Sequence, residues 1–113
     1  MKLVFVSAPY RASSILQVHD NIHRAEEIAR LIWESGHAAL CSHKNTAYLD
    51  GLVPDAHFLA GAIRMLKTCD AVYLGQGWEK SEGSRLEHEE AVRIGLPLFD
   101  NIPAYLAWAG RQT

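Results

Sequence analysis

The sequence predicts an open, doubly wound parallel sheet of four to five strands with helices on both faces, a three-layer α/β architecture. Two observations carry this. Short apolar runs without polar alternation, such as Leu3 to Ser7 and Asp70 to Leu74, read as strands buried on both faces. Each run is followed by a segment whose apolar residues recur at helical spacing.

Leu3 to Ser7 is the first strand, ended by Ala8-Pro9-Tyr10. From about Asp20 to Glu34, Ile22, Ala25, Ala29, Ile32 and Trp33 share one helical face, and Gly36 follows as a left-handed cap. His37 to Ser42 gives a second strand. A loop with Asn45, Thr46, Gly51 and Pro54 then leads to a helix from about Ala56 to Thr68, with Phe58, Ala62, Met65 and Cys69 inward. Asp70 to Leu74 is the third strand. After it a polar loop opens a helix on which Glu87, Ala91 and Ile94 form one stripe, so Glu87 should face the sheet. Leu96 to Phe99 is the fourth strand, and Pro103 suits the first turn of a closing helix. The pattern is flavodoxin- or Rossmann-like, with no internal repeat.

A chain of 113 residues is expected to form one domain, 1–113, and with 49% apolar residues it can bury a core. The net charge of −2, without long runs of either sign, favours neither nucleic acid nor an anionic membrane as a partner. Cys41 and Cys69 stand alone, which argues against a disulfide framework or a zinc site. The apolar run after Met1 is too short for a secretory signal or a membrane span. The expectation is a soluble, cytoplasmic protein.

In such a sheet ligands sit outside the carboxyl ends of the strands, where strand order reverses. Ser7 to Arg11, Ser42 to Thr46, Gly75 to Ser84 and the turn after Phe99 should meet on that rim. Neither a GxGxxG nor a GxxxxGK[ST] motif is present, which disfavours dinucleotide and P-loop chemistry. Ser81-Glu82-Gly83-Ser84 offers two hydroxyls, a glycine and free N–H groups at a helix start; it could hold a phosphate or carboxylate, or Ser84 could simply cap the helix. His19 and His23 lie one helical turn apart without a third ligand and read as a surface pair, so no metal is expected. His43, just past the second strand, is either structural or functional. Cys41 reads as packing. Tyr10 and Trp78 flank the rim, where a planar base could stack. Trp33 and Trp108 read as core or interface.

Taken together, Ser7-Ala8-Pro9-Tyr10-Arg11, Ser42-His43-Lys44-Asn45-Thr46, Asp70 to Leu74, Gly77-Trp78, Ser81, Gly83-Ser84 and Glu87 with Ala91 resemble the nucleoside 2-deoxyribosyltransferase-like family, in particular its short bacterial and phage branch. The resemblance runs from Met1 to about Phe99. It implies cleavage of an N-glycosidic bond, with Glu87 as nucleophile, Tyr10 orienting it, and no cofactor. It also implies a substrate held by Ser7, Pro9, Arg11, His43, Asn45, Gly77, Trp78, Ser81, Gly83 and Ser84. The transferases carry an acid six residues before the nucleophile, where this chain has Ser81. The related deoxynucleoside 5′-monophosphate N-hydrolases carry a serine there and, with the glycine matching Gly83, bind the 5′-phosphate. Arg11 and Arg85 would favour that anion, whereas Glu82 would oppose it.

The leading expectation is therefore an N-glycosidase of 2′-deoxynucleoside 5′-monophosphates. Base exchange on a nucleoside and a nucleotide-binding module without turnover are the rivals. A homodimer or a multiple of it is also expected, from Leu86 and from the C-terminal Tyr105, Leu106 and Trp108.

Overall fold

The computed structural model describes residues 1–112. Four strands, β1 (Leu3–Ser7), β2 (Ala38–Cys41), β3 (Ala71–Leu74) and β4 (Leu98–Phe99), pair in the order β2-β1-β3-β4, all parallel. The helices are α1 (Ile15–Glu34), α2 (Ser42–Asn45), α3 (Asp55–Leu66), α4 (Glu82–Ile94) and α5 (Ile102–Gly110), with a 3-10 turn at Trp78–Lys80. The predicted α/β class is the observed one.

Strand alternation divides the core into two. Val4, Val6, Ala71 and Tyr73 pack with α1 and α5, while Phe5, Val72 and Leu74 pack with α3 and α4. Ile32 of α1 and Leu66 of α3 are fully buried, one on each side. Truncating either to alanine should cost about 2–5 kcal/mol.

Several expected boundaries shift. Helix α1 starts at Ile15 rather than Asp20, because the Ser14 hydroxyl accepts from the Gln17 N–H at 3.1 Å. Its first turn leaves Ile15 and Leu16 exposed, so no buried stripe announces it. The segment after β2 is not wholly a loop, since Ser42–Asn45 forms one helical turn. Strand β4 spans only two residues. Within α3 the inward positions are Ala62 and Leu66, with Phe58 and Met65 half-buried. Gly36 caps α1 with φ +91° as expected, and Asn101 caps α5 through the Ala104 N–H. Trp33 is 56% exposed and belongs to no core; Tyr105, expected at an interface, is fully buried.

His37 closes the structure between its first strand and last helix. Its Nδ1 accepts from the Lys2 N–H at 3.1 Å, so Nε2 carries the proton and donates to the Ala109 carbonyl at 3.0 Å.

Candidate functional site

Strand β1 is followed by β2 on one side and flanked by β3 on the other, so a crevice opens at the carboxyl ends of β1 and β3. The two chain exits are pressed together there. The Gly75 N–H donates to the Ser7 carbonyl at 2.7 Å, and a Cβ at Gly75 would lie 2.8 Å from the Ala8 Cβ. Only glycine permits that approach.

Ser7 shares the parity of Phe5 and faces α4. Its hydroxyl donates to Glu87 Oε1 at 2.7 Å, and both residues are buried. Glu87 thus points inward as the helical stripe predicts. Burial pushes its carboxyl from 4.5 up to about 7, with the Ser7 hydrogen bond opposing the rise. One turn earlier on the same stripe, Ser84 is 1% exposed, and its Oγ has no hydrogen-bond partner among the described residues. The helix cap is Ser81, not Ser84: the Ser81 Oγ accepts from the Ser84 N–H at 3.3 Å. Gly83 is half-buried in the first turn of α4, with the Leu59 side chain beside it.

Tyr10 is placed differently from expectation. Its hydroxyl donates to Asp50 Oδ1 at 2.7 Å, so Ser7 rather than Tyr10 holds Glu87. Burial first, and then the Asp50 carboxylate, push the phenol up to about 12. The Tyr10 ring meets His43 edge-on at 5.2 Å. His43 Nε2 lies 3.1 Å from the Pro9 carbonyl, which can only accept, so that nitrogen carries the proton. Burial lowers the His43 pKa. These contacts make His43 a satisfied prop for the β1–α1 turn.

Arg11 pairs with Asp55 at the surface, and Arg85 donates to the Glu79 carbonyl at 3.0 Å. Neither guanidinium stands free. Asn45 is exposed and lines a groove at the β2 edge with Cys41 and Lys44, apart from the β1–β3 crevice. His19 and His23 stack edge-on at 5.0 Å on the exposed face of α1.

A cleft of about 730 Å³ opens on the α1 and α5 side of the same rim. Pro9, Gly77 and Trp78 line it; Ser7, Glu87 and Ser81 to Ser84 do not. Gly77 adopts φ +87°, which turns the chain into the 3-10 turn, and the Trp78 ring stacks on His88 at 4.5 Å. The rim therefore carries a buried acid on the α4 side and an open cleft on the other, with Ala8 and Gly75 between them. Asp50 and the cleft residue Tyr73 escape sequence reasoning, because only the folded chain brings them to the rim, whereas Asp100 opens the turn after Phe99 that was expected there. The Ser7–Glu87 contact was open to inference, since strand parity points Ser7 at the helix that carries Glu87.

The family model of a domain of unknown function, DUF4406, matches residues 13–100. The chain belongs to the DUF4406 family. That match spans α1 to β4 and so takes in the Glu87 helix and most of the cleft, leaving β1 with Ser7 just outside it. Among solved structures, this DUF4406 chain is similar to a 2-deoxyribosyltransferase from Bacillus psychrosaccharolyticus, a biocatalyst for nucleoside synthesis. The TM-score is 0.60 at 13% identity, over 88% of this chain and 75% of that one. At that identity the likeness is one of fold. Comparison with curated proteins finds no match. Among the described residues of this DUF4406 chain, no helix is long and apolar enough to cross a membrane.

Proposed function

We propose that this protein is an N-glycosidase acting on 2′-deoxynucleoside 5′-monophosphates, with Glu87 as the nucleophile. The observation that carries the reading is the buried Glu87 carboxylate at the β1–β3 rim, held by Ser7 and poised between protonated and ionised forms near neutral pH. An anomeric carbon losing its base develops positive charge, and a carboxylate beneath it stabilises that charge and can form a covalent glycosyl ester. The base leaves with the electron pair of the glycosidic bond and takes up a proton from solvent; water then attacks the anomeric carbon of the ester, giving the sugar phosphate, a proton and the free carboxylate. The sugar faces Glu87, the base leans toward Trp78 and Gly77, and the 5′-phosphate meets the start of α4.

At that helix start the N–H groups of Glu82 and Gly83 point toward the anion, the Ser81 hydroxyl adds a donor, and the unpartnered Ser84 hydroxyl lies on the stripe leading to Glu87. Pro9 and His43 hold the β1–α1 turn in place. Tyr10 sits over that turn, and its raised pKa keeps the phenol a donor at neutral pH. Arg11 and Asn45 stand at the periphery.

Base exchange on a free nucleoside is the second reading, favoured by the 2-deoxyribosyltransferase whose fold this chain shares. Incubation with matched deoxynucleosides and monophosphates, with and without an acceptor base, separates the two. The expected result is free base from monophosphates without acceptor. Glu87→Gln should lose at least about two orders of magnitude of that release. Wild-type turnover in the variant would end the glycosidase reading.

Pairing of two copies is part of the proposal. Leu86, Ile102 and Leu106 remain between 38% and 49% exposed, apolar surface that a second copy would cover. Light scattering should then return a dimer mass.

A further inference from the structure

The cleft on the α1 and α5 side carries features that the glutamate chemistry does not use. Tyr73 of β3 faces this side, is only 6% exposed and lines the cleft, yet its hydroxyl makes no hydrogen bond among the described residues. Burial raises its pKa and so does the nearby Asp100 carboxylate, which keeps the phenol protonated and able to donate. Asp100, Glu27 and Glu79 also line the cleft, and none of the three has a cationic partner within salt-bridge distance among the described residues. Arg24 is the single cationic residue of the lining. Trp78 borders the cleft, with its ring stacked on His88 of α4 and packed with the α3 and α4 core.

A cleft of about 730 Å³ has room for a planar ring. Carboxylates only accept, so the ring edge turned toward them must donate. We infer that this cleft binds the amino-bearing nucleobases, adenine or cytosine type, and discriminates against their oxo counterparts through Asp100 and Tyr73. An exocyclic amine donates to Asp100 while the Tyr73 hydroxyl donates to the neighbouring ring nitrogen. In hypoxanthine or uracil a carbonyl oxygen takes the place of that amine and faces the acidic wall with like polarity. The inference deepens the glycosidase reading by naming its base class, yet binding in the cleft needs neither Glu87 nor the phosphate.

Calorimetric titration of the intact protein with the free bases adenine, hypoxanthine, cytosine and uracil tests it. Each amino base should bind at least about tenfold more tightly than its oxo partner, the worth of one hydrogen bond to a charged group. Asp100→Asn should collapse that preference, and Tyr73→Phe should weaken the amino bases severalfold. Asp100 is exposed, and the Tyr73 hydroxyl has no protein partner, so both variants should keep the wild-type Tm. Equal binding of amino and oxo bases, no binding of either, or an unchanged preference in Asp100→Asn would overturn the inference. Selective base binding with no base released from any nucleotide would leave the cleft assignment standing and overturn the glycosidase instead.

Discussion

Replacing Glu87 by glutamine should make the protein progressively more stable than the wild type as pH rises. Glu87 is 7% exposed, and burial lifts its carboxyl from 4.5 to about 7 against the pull of the Ser7 hydroxyl. An acid whose folded pKa lies above its unfolded value binds more protons in the native state. Its contribution to stability is therefore fullest below about 4.5 and is lost as pH rises through about 7. At 1.36 kcal/mol per pH unit, folding with an ionised Glu87 costs roughly 3 kcal/mol by about pH 8. The amide escapes that cost and still accepts from Ser7. It also buries an unpartnered NH2 group, a penalty of about 1–3 kcal/mol that does not vary with pH. The net effect near neutrality is thus small, but the variant's advantage over wild type should grow by roughly 3 kcal/mol between about pH 4.5 and 8. Urea unfolding of both proteins across that range at constant ionic strength measures it. A stability difference that stays flat, or that shrinks with pH, would refute the buried-acid account.

Ser7→Ala removes the one hydrogen bond to the Glu87 carboxyl, so its pKa should climb further and the stability loss should exceed about 1 kcal/mol near pH 8. The loss should be smaller near pH 5.5, where the acid is protonated, and a loss independent of pH would contradict it. Gly75→Ala forces a Cβ to 2.8 Å from Ala8 and 3.1 Å from Ile28, and should cost about 1–3 kcal/mol in chemical denaturation. An unchanged midpoint would mean that the β1 and β3 exits are free to separate. Ser81→Asp puts a charge beside the proposed phosphate and should narrow or reverse the preference for monophosphates over nucleosides, read as the ratio of kcat/KM values. The same ratio in both proteins would remove the phosphate from the start of α4.

The layers of the fold were legible because β1 and β3 are apolar without interruption and α1 and α4 carry periodic stripes. The early start of α1 was not, since its opening turn exposes Ile15 and Leu16 and imitates a loop. Helix α2 is too short for periodicity to register. At the rim, the inward aim of Glu87 followed from spacing alone. The partner of Tyr10 lies 40 residues further on, in a loop whose path no local pattern fixes. The rim that carries the cleft was legible, since the Gly75 to Ser84 segment and the turn after Phe99 were expected there, but Tyr73 reads as one more buried strand residue until Asp100 is seen beside it.

The imidazole of His37 amounts to a spectroscopic probe placed at a seam. With Nδ1 accepting from Lys2 and Nε2 donating to Ala109, the ring is held in a single tautomer whose Nε2 proton is buried under α5. Such a proton exchanges with solvent only when the last helix lifts from the sheet. Its downfield nuclear resonance would report the opening of that helix directly, with no label and no substitution, while the amide protons of β1 and β3 report the opening of the sheet itself. Comparing the two exchange rates would tell whether the C-terminal helix detaches alone or only when the whole domain comes apart.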